Sequence, residues 1–107
     1  LLKSHILLEE DFLENLKKIG NVHLLLLGGA FVGNEGKGPT DIFMVGDVDK
    51  EKVELLIKKF EKTVGRQFNY TVMGKKEFEY RSRIVDRFLF DIFDNKHILL
   101  VDKRLLS

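Results

Sequence analysis

The chain of 107 residues contains no cysteine, which excludes disulfides, thiolate metal sites and cysteine nucleophiles. It carries almost no net charge, +1 from 18 Lys and Arg against 17 Asp and Glu. No global field therefore draws it to nucleic acid or to a membrane surface. Long hydrophobic runs are missing too. The longest apolar stretch, Val22 to Val32, is interrupted by His23, Gly28 and Gly29 and falls short of the roughly 20 residues a membrane-spanning helix needs. His5, His23 and His97 have no metal-ligand spacing among them. Ser4, Ser82 and Ser107 have no partner arrangement that suggests a nucleophile. There is no repeat, low-complexity tract or linker, and Leu1-Leu2-Lys3 leads into an acidic segment instead of a signal-peptide cleavage site. These absences leave one domain, residues 1–107, outside the membrane and by default cytoplasmic. Because the chain opens on Leu1 rather than Met, we expect it to be a fragment of a longer parent.

What is present is an ordinary globular balance, 44% hydrophobic and 33% charged, enough for a single core. Phe12, Leu13, Leu16 and Ile19 recur at helical spacing, with Gly20 placed to end that helix. Val22 to Leu27 is a short, nearly all-apolar run, as expected of a strand buried on both faces. Gly28 to Gly38 holds five glycines and is expected to be a loop. A second strand follows over Thr40 to Val45. Asp47 to Val64 reads as the clearest helix, with an apolar stripe of Val53, Leu56, Ile57, Phe60 and Val64 and Gly65 as its stop. Gln67 to Met73 alternates like a half-buried strand, with Phe68, Tyr70 and Val72 on one face. Lys75 to about Phe93 is expected to be helical, burying Phe78, Val85, Phe88, Leu89 and Ile92, with room for a break near Ser82. His97 to Val101 is the last strand. The order α-β-β-α-β-α-β gives an α+β fold: a small mixed β-sheet with helices packed mainly on one face.

Chemistry concentrates in Leu24 to Gly46, a hydrophobic strand, a glycine-rich loop and a second hydrophobic strand opened by Asp41. Gly28 and Gly29 suit either a tight turn or a close backbone approach to phosphate. Asp41 suits either a strand edge or a metal ligand, and Asn69 either an exposed strand face or a ligand. Lys37 lies in Gly33-Asn34-Glu35-Gly36-Lys37-Gly38, which lacks the P-loop spacing; it is a surface lysine or a phosphate contact. Asp47-Val48-Asp49 immediately precedes the strongest helix, so helix capping explains it better than metal binding.

The layout of Leu27, Gly28, Gly29, nine intervening residues and then Pro39-Thr40-Asp41 resembles the DNA polymerase β-like nucleotidyltransferase superfamily. That family's pattern is a hydrophobic residue, Gly with Gly or Ser, a variable spacer and Asp-hydrophobic-Asp. The resemblance covers about Ile19 to Val101. It implies a nucleotide-binding corner at Gly28, Gly29, Lys37 and Asp41, with metal-side positions at Asp41 and Asn69. Asp41 matches the second Asp of the pair, Pro39 stands at the first, and Asn69 stands where a third carboxylate comes from the neighbouring strand. A shifted register makes Asp41 the first Asp and puts Phe43 at the second. In either register one of three acidic ligands survives. Pro and Phe offer Mg²⁺ no side-chain oxygen and Asn only a neutral carbonyl.

The resemblance therefore implies a degenerate nucleotidyltransferase site, at most one Mg²⁺ held weakly on an NTP, and no catalytic residues. The expected function is a non-catalytic regulatory, nucleotide-sensing or interaction module. The alternative is an active Mg²⁺-dependent transferase moving an NMP from an NTP to a protein or small molecule, with Asp47, Asp49 or Glu35 as replacement carboxylates. The chain also resembles the C-terminal part of prokaryotic winged-helix regulators, in which DNA is contacted only through an upstream segment. A homodimer is expected through the 78–93 helix, because Tyr80, Phe88, Phe90 and Phe93 point around more than one face. Lys75, Lys76, Arg81, Arg83 and Arg87, interspersed with Glu77, Glu79 and Asp86, are expected to form a solvated, salt-paired face, with Tyr80 and Arg83 available to a partner.

Overall fold

The computed structural model describes residues 14–33 and 38–104. Phe12, Leu13, Glu35 and Lys37 lie outside the described residues. Four strands form one mixed sheet in the order β3-β2-β1-β4. They are β1 (Gly20–Leu27), β2 (Ile42–Val48), β3 (Tyr70–Met73) and β4 (Ile98–Asp102). β1 pairs antiparallel with both β2 and β4, and β2 pairs parallel with β3. The parallel pair requires a crossover, which is α1 (Lys50–Val64). Two shorter helices, α2 (Lys75–Arg83) and α3 (Arg87–Asp94), connect β3 to β4. None of the described helices is long and apolar enough to cross a membrane.

The α+β class and the mixed sheet are as expected, but the helices cover both faces of the sheet instead of mainly one. Leu25, Leu27, Ile42 and Met44 pack with Val53, Leu56 and Ile57 of α1, together with Leu16, Ile19 and Phe68. Leu24, Leu26, Phe43 and Val45 pack on the other face with Phe78, Leu89 and Ile92 of α2 and α3. The all-apolar runs of β1 and β2 already demand this, since a central strand without polar alternation is stable only when both faces are covered.

One local irregularity sets which residue meets which layer. Val22 pairs with Gly46 but Leu24 pairs with Val45, so His23 is an extra residue in β1. Without such a bulge, residues i and i+2 share a face. With it, Val22 joins the α1 layer while Leu24 joins the α2–α3 layer. Gly46 has φ +156°, and a Cβ there would overlap the Asn21 carbonyl oxygen. Only glycine fits where the bulged strand comes this close.

Helix ends follow local chemistry. The Asp49 carboxylate accepts from the Glu51 and Lys52 amides and caps α1, as the capping reading of Asp47-Val48-Asp49 expects. Gly65 closes α1 at φ +87°. Val64, expected in the buried stripe, is exposed, because it falls in the last turn beyond the sheet. The helix expected from Lys75 to Phe93, with room for a break near Ser82, is two helices parted at 84–86. Ile84 is extended, and the Asp86 carboxylate accepts from the Leu89 amide to start α3 afresh. Ser82 stays helical, its hydroxyl donating to the Phe78 carbonyl. Val85, expected to be buried, sits in this break fully exposed. An N-cap aspartate immediately after a β-branched pair competes successfully with helical continuation.

Candidate functional site

The candidate corner lies where β1 ends and β2 and β3 begin. Gly28 donates from its amide to the Asp41 carbonyl at 2.8 Å, extending the β1–β2 ladder by one bond. The chain then enters a short 3₁₀ turn, Gly29–Val32. Gly29 sits at φ +49°, and a Cβ there would overlap Oδ1 of Asp41. Asp41 is bonded through both carboxylate oxygens. Oδ1 accepts from the Ala30 amide and Oδ2 from the Asn69 amide, each at 2.9 Å. The Asn69 carbonyl in turn accepts from the Asp41 and Ile42 amides, both at 3.0 Å. Thr40, a buried polar residue, has its hydroxyl 3.1 Å from both the Ile42 and Asn69 carbonyls. Gly28, Gly29, Asp41 and Asn69 are thus brought together. What meets Asp41, however, is the main chain of Asn69, whose side chain is exposed.

Sequence reasoning missed the supports. Phe31 stacks on Phe68 with ring centroids 4.6 Å apart and on Phe60 at 5.8 Å. Glu61 accepts from the Phe68 amide at 2.7 Å, and the Arg66 guanidinium lies 5.4 Å from the Phe68 ring centroid. The segment entering β3 is therefore held by two carboxylates, Glu61 on residue 68 and Asp41 on residue 69. The available signal was Phe31, an aromatic residue in an otherwise glycine-rich loop.

The corner is better built to join three strands than to hold ions. The amides of Gly28, Ala30 and Phe31 are already engaged within it, which leaves few donors for a phosphate among the described residues of the corner. Pro39 brings no oxygen, and Mg²⁺ calls for a near-octahedral set of oxygens. One carboxylate with both oxygens already accepting does not fit a two-metal centre. In the shifted register the second acidic position would be Phe43, which is fully buried against Phe78 and Phe88. A carboxylate could not stand there without an unpaired buried charge. Of the replacement carboxylates, Asp49 is occupied as the α1 cap and Asp47 is exposed on β2.

A second charged feature lies at the end of β4. Arg104 donates to Asp102 from Nε at 2.8 Å and from Nη2 at 2.7 Å, and its amide adds a bond at 3.1 Å. Side-chain and then main-chain bonding from Arg104 lowers the Asp102 carboxyl from 3.8 to about 2. Because the folded carboxyl titrates below its unfolded value, the pair contributes stability above about pH 4. That contribution is lost as pH falls through about 2. Arg104→Ala is expected to raise the Asp102 value by about one unit, the amide contact remaining. A ¹³C carboxyl titration reads this directly, and an unmoved midpoint would show that the guanidinium is not the cause.

Comparison with protein-family models, curated proteins and solved structures finds no match for this chain.

Proposed function

We propose that this domain is a non-catalytic, nucleotidyltransferase-like scaffold working as a regulatory or interaction module. The observation that carries this is the state of Asp41. The one acidic residue left at the motif accepts an amide hydrogen bond on each oxygen and so serves the junction of β1, β2 and β3. A carboxylate that accepts an amide on each oxygen has fewer free lone pairs to offer a metal–nucleotide complex. Nucleotidyl transfer depends on metals to neutralise the triphosphate and position the attacking hydroxyl. The resemblance to winged-helix regulators fits the same reading: an upstream segment would contact DNA, in the cytoplasm, and this domain would supply the effector or dimerisation part.

The test is an amide-shift NMR titration with ATP, GTP, CTP and UTP, each with and without Mg²⁺. We expect no localised, Mg²⁺-dependent shifts at Gly28, Gly29 or Asp41 at millimolar nucleotide. Such shifts, together with NTP-dependent transfer abolished by Asp41→Ala, would restore the enzymatic reading.

A further inference from the structure

We propose that the α2–α3 face is a homodimer interface in which α2 packs antiparallel against α2 of a second copy. Tyr80 is 62% exposed, Ile84 47%, Val85 101% and Phe90 59%. Ile84, Val85 and Phe90 line one open groove with Phe93, Glu79 and Arg83. Ile84 and Val85 in the break between the two helices and Phe90 on α3 leave an apolar patch of the kind that marks an interface, with Tyr80 exposed on α2. Leu99, paired with Leu26 on the same side of the sheet, is exposed as well.

Charge selects the occupant. On this surface Arg81 is paired with Glu77 and Asp86, and Arg87 with Asp91. Glu79 and Arg83 are both exposed, and neither has an ion-pair partner among the described residues. They lie one helical turn apart on α2 and so share a face. A two-fold axis perpendicular to α2 and passing level with residue 81 runs the helix of the second copy in the opposite direction. It therefore sets Glu79 opposite Arg83 of the partner subunit, and Arg83 opposite Glu79 of the partner subunit. A strongly acidic or strongly basic partner would be repelled by one of these two charges. A second copy satisfies both, while Tyr80 and Ile84 between and beside them supply apolar contact. The inference is independent of the reading of the Gly28–Asp41 corner: oligomeric state tests one and nucleotide titration the other.

The test is sedimentation equilibrium of the 107-residue chain at several concentrations. The wild type is expected at about twice the 12.4 kDa chain mass. Glu79→Arg and Arg83→Glu each place like charges across the axis, and each is expected to weaken the dimer at least about tenfold. The double swap Glu79→Arg/Arg83→Glu restores opposite charges and should return the constant to within about threefold of wild type. Circular dichroism confirms that each variant is folded; the substituted positions are exposed. A wild type that stays monomeric to millimolar concentration overturns the proposal. So do single reversals that leave the dimer unchanged, or a double swap as weak as the singles.

Discussion

Gly29→Ala is expected to lower the stability of the domain by about 3 kcal/mol, a large effect for one methyl group in a loop. An L-residue at φ +49° costs about 1 kcal/mol by itself. The larger part arises because the new Cβ would overlap Oδ1 of Asp41. The aspartate must withdraw, and the Ala30 and Asn69 amides then lose a charged acceptor. Hydrogen bonds to charged groups contribute about 1.5–3 kcal/mol each, and solvent screening in this half-exposed setting reduces their combined contribution to about 2 kcal/mol. Asp41→Ala alone should therefore cost about 2 kcal/mol, and the double variant about 3, well short of the sum. Urea denaturation of the four proteins gives the coupling. Additivity within about 0.5 kcal/mol would mean that Asp41 does not hold the corner.

Phe43→Ala should be more severe, at about 4 kcal/mol. The ring is wholly buried near the start of β2. It meets Phe78 of α2 at a centroid distance of 6.2 Å and Phe88 of α3, edge-on, at 5.9 Å. Truncation leaves a cavity at the point where the α2–α3 layer rests on the sheet. Domains of this size are commonly stable by about 5–15 kcal/mol, so much of the margin would be lost. Phe43→Leu, which conserves more of the volume, should cost roughly 1–1.5 kcal/mol. A loss below about 2 kcal/mol for Phe43→Ala in urea denaturation would mean that the site collapses around the truncation.

Legibility in the sequence followed the range of the interaction. The α1 cap at Asp49 and the stop at Gly65 are local hydrogen-bonding and φ preferences, and both stand where the residues indicate. The junction of Gly28, Gly29, Asp41 and Asn69 was indicated only as a gathering of residues. That Asp41 would accept main-chain amides from Ala30 and Asn69 was not visible, because backbone donors leave no mark in side-chain identity. The break expected near Ser82 falls instead at 84–86, because the apolar spacing through Phe78, Val85 and Phe88 imitated one continuous stripe.

By itself the sequence determined the element types and their approximate extents, the burial of β1 and β2, and the presence of a glycine–aspartate corner. These follow from periodicity, capping and turn chemistry, which act within a few residues. Only the tertiary structure decided the strand order, which helices cover each face of the sheet and the bulge at His23 that Gly46 accommodates. It also decided the commitment of both Asp41 oxygens and the exposure of Val85 between two helices. Each depends on segments far apart in the chain meeting at fixed register. A run of consecutive apolar residues reads the same whichever partner and whichever face it finds.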